Sequence, residues 1–162
     1  MNDSDESAAR AALDEASAAI VAGVERTLPT WVEQQVVVIL DAWGKADDAT
    51  RTRAIEDARS AGVTTTARIS NELRALFALD PAEQRATPLE IVRTAVREPT
   101  RILEEAGVPP VVRDQFEERS FPDDRYGLVP HTLSDLGDET LGPQLLAWGL
   151  AKAKILRSQV GG

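Results

Sequence analysis

The sequence predicts an all-α protein, a single-domain helical bundle of about six to seven helices. Hydrophobic residues make up 43% of the chain but aromatic residues only 4%, and this alanine-rich balance favours closely packed helices over sheets. Apolar residues recur at helical spacing, and glycine, proline and capping residues mark where helices begin and end. Within the single domain, 1–162, we expect a flexible polar lead over 1–7 and an irregular segment over 120–142.

The first third of the chain predicts two helices separated by a proline. An amphipathic helix is expected over 8–26, and Pro29 is expected to interrupt it. Thr30 and Glu33 then have capping-box spacing, which predicts the start of a second helix. The apolar run 35–43 could form a strand by propensity, but the cap and the helical neighbours favour a buried helix. The stripe of the first helix consists of Leu13, Ile20, Val24 and Leu28.

The middle of the chain contains a pattern that resembles a helix-turn-helix motif. Asp47 or Asp48 is predicted to cap a helix that ends at Gly62, and a threonine-led helix follows. This spacing makes sequence-specific DNA binding around residues 54–77 a weaker alternative function. Against it, Asp57 and Arg68 occupy positions where the motif needs apolar side chains.

A proline-rich corner organises the second half of the chain. Thr87-Pro-Leu-Glu90 predicts a helix start, Pro99 a kink and Gly107 a helix end. Pro109 and Pro110 stiffen the corner. The remaining elements that we expect are a helix over 111–119 with Val112 and Phe116 as its apolar pair, a loop over 120–130, one helical turn over 132–136, and a last helix from Pro143 whose apolar residues include Leu145, Leu146, Trp148, Leu150 and Ile155.

Charge and composition limit the classes of partner. The net charge of −9 argues against a nucleic-acid partner, because such binding depends on phosphate neutralisation. No run approaches the roughly 18 consecutive apolar residues of a membrane span, so no membrane partner is expected. The acidic N-terminus does not resemble a secretory signal, and the chain has no cysteine. We therefore expect a cytoplasmic protein.

Chemistry-bearing motifs are scarce, so no catalytic residue, cofactor or metal is predicted. His131 is the only histidine, and it lacks a serine elbow or a second histidine at metal-ligand spacing. Asp114, Glu117 and Glu118 share a predicted helix face that could attract a hard cation. Their spacing matches no calcium loop, and a solvated acidic face is the simpler interpretation.

The predicted function is that of a non-enzymatic interaction or regulatory module that binds another protein or itself. Trp31 and Phe121 would mark the binding surface if both were exposed, since aromatic residues anchor interfaces. The alanine-rich first helix could also pair with its own copy. The alternative is a small-molecule binding protein or enzyme with a pocket between helices under the 120–130 loop. Its polar contacts would be Arg125, Tyr126 and His131.

The C-terminal third resembles a small family of helical proteins from high-GC bacteria that has no assigned activity. The residues that carry the resemblance are Arg101-Ile-Leu-Glu-Glu-Ala-Gly-Val-Pro-Pro-Val-Val-Arg-Asp-Gln-Phe116 and the continuation to Pro130. A composition rich in alanine and arginine but poor in lysine fits such a genome. The resemblance implies a bacterial, soluble, cytoplasmic protein.

Overall fold

A computed structural model describes residues 3–161, and over this range the chain is all-α and contains no strand. Its helices are α1 (Asp3–Trp43), α2 (Asp48–Ala78), α3 (Pro88–Arg93), α4 (Arg97–Glu105), α5 (Gln115–Ser120) and α6 (Leu141–Gly161). A 3₁₀ turn, Thr94–Val96, joins α3 to α4 without a break. Counted as one run, these two leave five helices, slightly fewer than the six to seven expected.

The two longest helices correct the predicted breaks at Pro29 and Gly62. Pro29 lies inside the 41-residue α1, and α2 is continuous through Gly62. The two positions lie against each other, since a Cβ on Gly62 would sit 2.8 Å from the backbone oxygen of Pro29. Glycine therefore permits a close helix crossing here and does not end a helix. The apolar run 35–43 is helical, which excludes the strand, and the expected lead is helical from Asp3; residues 1 and 2 lie outside the described residues.

Buried side chains of α1 contribute to two hydrophobic clusters, one near each end of the bundle. The larger cluster joins α1 to the C-terminal half of α2 and to α6, and its large members include Ile20, Leu28, Ile69 and Ile155. The smaller cluster joins the end of α1 to the start of α2, to α4 and to the corner. Within the described residues, no helix is long and apolar enough to cross a membrane.

The corner forms as predicted at its start but not at its end. Gly107 has a φ of +82°, and Val108 folds back so that its N–H donates to the Leu103 oxygen at 3.1 Å. The expected helix over 111–119 is shorter, because α5 begins only at Gln115. Val111 donates its N–H to the Arg125 oxygen at 3.0 Å and is therefore held outside the helix.

Other start signals are confirmed. Asp47 caps α2 by accepting from the Thr50 N–H, and Thr87 caps α3 by accepting from the Glu90 N–H. The single turn expected over 132–136 is the 3₁₀ helix Leu133–Leu136, and the last helix begins at Leu141, two residues before Pro143.

Candidate functional site

The predicted surface pair of Trp31 and Phe121 does not exist. Trp31 is only 3% exposed and belongs to the larger core cluster, because the helix start expected at Thr30 is the middle of α1. Phe121 is half-buried, with the Arg93 guanidinium 5.1 Å from its ring centroid. The two side chains therefore cannot form one exposed aromatic patch.

The 120–130 loop is closed by its own buried polar groups. The Tyr126 hydroxyl is buried and donates to the Val108 oxygen at 2.7 Å, and burial raises the pKa of this phenol. The Asp124 carboxylate is also buried and accepts from the N–H groups of Leu128 and Val129 at 2.7 and 3.0 Å. Tyr126, which was predicted to contact a small molecule, therefore stabilises the corner through its hydrogen bond to Val108.

The other two predicted contacts, Arg125 and His131, lie on the surface. Arg125 is exposed and pairs with Glu104 at 3.5 Å. The side chain of His131 is 62% exposed and its Nε2 lies 3.8 Å from a Glu117 oxygen. Its ring also makes an edge contact with Phe121, at 6.4 Å between centroids. The structure therefore does not bring Arg125, Tyr126 and His131 together around one pocket.

The acidic cluster near the corner has ordinary structural roles. Asp114 caps α5 by accepting from the Glu117 N–H at 2.8 Å. Among the described residues, no group of three or more histidine, aspartate or glutamate side chains could hold a metal ion.

Residues 54–77 do not form a helix-turn-helix motif, because they lie within one continuous helix. The motif needs a turn near Gly62, and α2 has none. Four of the five arginines of α2, which would be needed to contact phosphates, are paired with carboxylates: Arg51 with Asp41, Arg59 with Glu33, Arg68 with Glu72, and Arg74 with Glu25. Asp57, which the motif would replace by an apolar residue, accepts from Arg101 at 3.2 Å and so connects α2 to α4.

The most unusual surface lies on α6, which is apolar on two opposite sides. Trp148, Ala151 and Ile155 face the core. On the other side, Leu146 is 64% exposed, Leu150 58% and Val160 89%. We call this side the outer face of α6 and define it by Leu146, Gly149, Leu150, Ala153 and Val160. Exposed apolar side chains grouped on one face often mark an interaction surface, so this face is the candidate functional site.

A groove lies on each side of the outer face. One groove, of about 440 Å³, runs between α6, the start of α3 and the 3₁₀ helix Leu133–Leu136. Its lining is Leu89, His131, Thr132, Leu133, Gly142, Leu145, Leu146, Gly149 and Leu150. The other, of about 580 Å³, runs between α6 and the start of α1 and is lined by Ala8, Ala9, Ala12, Ala147, Leu150, Ala151 and the charged residues Asp5, Lys154 and Arg157. Leu150 lines both grooves, so it forms a ridge between them.

A second exposed apolar group lies at the corner. Val112 is fully exposed and Phe116 is 71% exposed. They were expected to be the apolar pair of a helix over 111–119, but α5 starts too late to carry Val112. No residue of α5 is buried.

The sequence predicted Leu146 and Leu150 to be apolar residues of the last helix, but it did not predict that they form a binding surface. The signal was present in the pattern, since α6 carries leucines on more than one side. The pattern does not show which side of α6 faces the core, because that depends on how α6 packs against α1.

Comparison with known proteins gives no functional assignment: no family model, no curated protein and no solved structure matches this chain. The resemblance of the C-terminal third to a bacterial family therefore stays a prediction.

Proposed function

We propose that this protein is a non-enzymatic helical interaction module whose binding surface is the outer face of α6. The observation that supports it is the exposure of Leu146 and Leu150 between two grooves on a helix whose opposite side is already buried. Fully burying one leucine is worth about 1.5–3 kcal/mol, so covering the exposed parts of Leu146 and Leu150 yields roughly 2–4 kcal/mol towards association.

The chemistry of the surroundings favours binding over catalysis. The groove beside α3 is lined mainly by leucine and glycine, and His131 is its only side chain with an ordinary acid–base function. A catalytic histidine needs a positioned partner, and the carboxylate that faces the His131 ring, that of Glu117, lies 3.8 Å from Nε2, beyond hydrogen-bond distance.

A comparison of three variants tests the proposal. Leu146→Glu and Leu150→Glu place a charge on the outer face, and Val63→Glu places the same charge on an exposed valine of α2. A protein captured with the wild type is purified, and its affinity for each variant is measured by calorimetry. We expect at least tenfold weaker binding for Leu146→Glu and Leu150→Glu, and unchanged binding for Val63→Glu.

Two results would contradict the proposal. One is a purified partner that binds all the variants equally. The other is a well-folded wild type for which neither another protein nor its own copy binds at the outer face.

Small-molecule binding in the groove beside α3 is a second candidate, favoured by its apolar lining and by His131 at its edge. A bound metabolite should raise the melting temperature. The increase should disappear in His131→Ala and Leu146→Glu but persist in Val63→Glu.

A further inference from the structure

We infer that the occupant of the outer face is the α6 helix of a second copy of this chain, packed antiparallel about Gly149 and Leu150. The inference rests on the proposed function, because it names the partner of the same surface. Four observations on α6 support it: the spacing of its apolar residues, an unexplained glycine, the shape of the surface and the order of its charges.

The spacing of apolar and small residues on the outer side of α6 alternates between four and three. This 4-3 pattern is typical of helices that pack along each other as in a coiled coil. Four residues of the outer face follow it, Leu146, Gly149, Ala153 and Val160, and the half-buried Leu156 occupies the position between the last two.

Gly149 has no explanation inside one chain. It lies in the middle of a 21-residue helix, where glycine is less favourable than alanine, and a Cβ at this position would meet nothing within 4 Å. By contrast, the helical glycine Gly62 contacts the backbone of Pro29. A second helix passing close to Gly149 would give this glycine the same role.

The surface is complementary to itself. Leu150 forms a ridge with a groove on each side, and Leu146 lines one of these grooves; helices pack by placing ridges into grooves. In an antiparallel pair centred between residues 149 and 150, Leu146 of one copy is level with Ala153 of the other, and Leu150 is level with Gly149. Each large side chain therefore meets a small one, and the same patch serves both copies, as a two-fold interface requires.

The charges along α6 also favour the antiparallel orientation. Lys154 and Arg157 lie towards its C-terminal end, and among the described residues neither takes part in an ion pair. Glu139 is exposed just before the helix begins. Antiparallel pairing brings Arg157 of one copy level with residue 142 of the other, at the end of the helix that Glu139 directly precedes. A parallel pair would place the basic ends together.

The overall charge of −9 opposes this pairing only weakly. At physiological ionic strength, charges further apart than about 8 Å are largely screened. The residues near the contact therefore matter more than the total.

Sedimentation velocity of the full chain over a range of concentrations tests the inference. The wild type should associate to a dimer, and Leu146→Glu and Leu150→Glu should each raise the dissociation constant at least tenfold. Val63→Glu is the matched control on α2, and Val112→Glu probes the exposed corner. Both should leave the dimer unchanged, and circular dichroism should confirm that all four variants fold.

Charge exchange tests the orientation. At low salt, Arg157→Glu and Glu139→Lys should each weaken the dimer roughly fivefold, because each turns an attraction into a repulsion. An equimolar mixture of the two variants should associate about as tightly as the wild type. In a parallel pair, each single variant would leave like charges beside each other and the dimer no weaker, whereas the mixture would place opposite charges side by side and associate more tightly than the wild type.

Each remaining outcome overturns the inference. A monomeric wild type, a dimer that survives both leucine variants, or a dimer that Val112→Glu dissociates would exclude the second copy as the occupant of this face. None of these results excludes a different protein partner at the outer face. The captured-partner experiment tests that proposal separately.

Discussion

Replacing Gly149 by alanine should affect folding and association in opposite directions. Alanine is more favourable than glycine in a helix interior by about 0.8–1 kcal/mol, and the added methyl group meets no atom within 4 Å in the single chain. Gly149→Ala should therefore stabilise the isolated chain by about 1 kcal/mol, or about 2–4 °C in melting temperature for a chain of this size. The same methyl group should weaken self-association, because it separates the two helices where they pass closest.

Urea unfolding followed by circular dichroism measures the first effect. The comparison is made in the Leu150→Glu background, so that association does not contribute to the measured stability. Gly62→Ala is the matched control in α2. Its Cβ would lie 2.8 Å from the Pro29 oxygen and 3.2 Å from the Pro29 Cα, both backbone atoms that cannot rotate away. Overpacking of about 1–3 kcal/mol should exceed the gain in helix propensity, so Gly62→Ala should destabilise. Loss of stability in Gly149→Ala, or a gain in Gly62→Ala, would refute this account of the two glycines.

Three further predictions concern the closed loop and a carboxylate on α1. Asp124→Ala should destabilise by about 2–4 kcal/mol in urea unfolding, because two buried N–H groups lose their acceptor; the conservative Asp124→Asn should lose less, and equal losses would argue against the hydrogen bonds. Tyr126→Phe should lower the free energy of unfolding by about 1–2 kcal/mol, since the Val108 oxygen loses its buried donor. An unchanged melting curve would contradict a stabilising role for this hydrogen bond. The hydrogen bond from Ser70 at 2.6 Å, with help from a nearby arginine, lowers the pKa of Glu25 below its usual 4.5. The contribution of the Glu25 carboxylate to the free energy of unfolding should therefore be complete above about pH 4.5 and be lost as the pH falls through the lowered pKa. In Ser70→Ala, an NMR titration should find the pKa of Glu25 raised, and no change would contradict the assigned cause.

Local signals predicted the helix starts well. Asp47 and Thr87 satisfy backbone N–H groups a few residues away, and Gly107 adopts a positive φ. Such features depend on short stretches of chain, so the sequence contains the information needed to find them.

The predicted breaks at Pro29 and Gly62 were wrong for a reason that lies outside each local stretch. Proline costs about 3 kcal/mol in a helix interior, but Leu28, Trp31 and Val32 beside it are buried and hold α1 together. Gly62 is then required by the close approach of Pro29. Each residue alone is typical of a helix break, whereas in the folded chain the two pack against each other inside continuous helices.

The candidate site was predicted only in part. The sequence placed leucines around α6 and suggested self-association, but through the alanine-rich first helix. Which side of α6 remains exposed depends on the packing of Trp148 and Ile155 into the core, and the spacing of apolar residues alone does not fix that direction. Trp31 was misplaced for the same reason, since a supposed helix start proved to be the buried middle of α1.

Disulfide trapping with single cysteines tests the outer face of α6 most directly, because the chain has no cysteine of its own. Gly149→Cys, Arg157→Cys and Val63→Cys are oxidised under identical dilute conditions, and the covalent dimer is quantified on a non-reducing gel. Two copies of residue 149 would be offset by only about 1.5 Å along the axis in the proposed pair, whereas two copies of residue 157 would be about 22 Å apart, beyond the reach of a disulfide. The side chain added at residue 149 weakens the non-covalent pair, but each disulfide holds a pair once it has formed, so we predict trapping for Gly149→Cys well above the background of Arg157→Cys and Val63→Cys. Equal rates for Gly149→Cys and Val63→Cys would contradict α6 pairing, and rapid trapping of Arg157→Cys would contradict its antiparallel orientation.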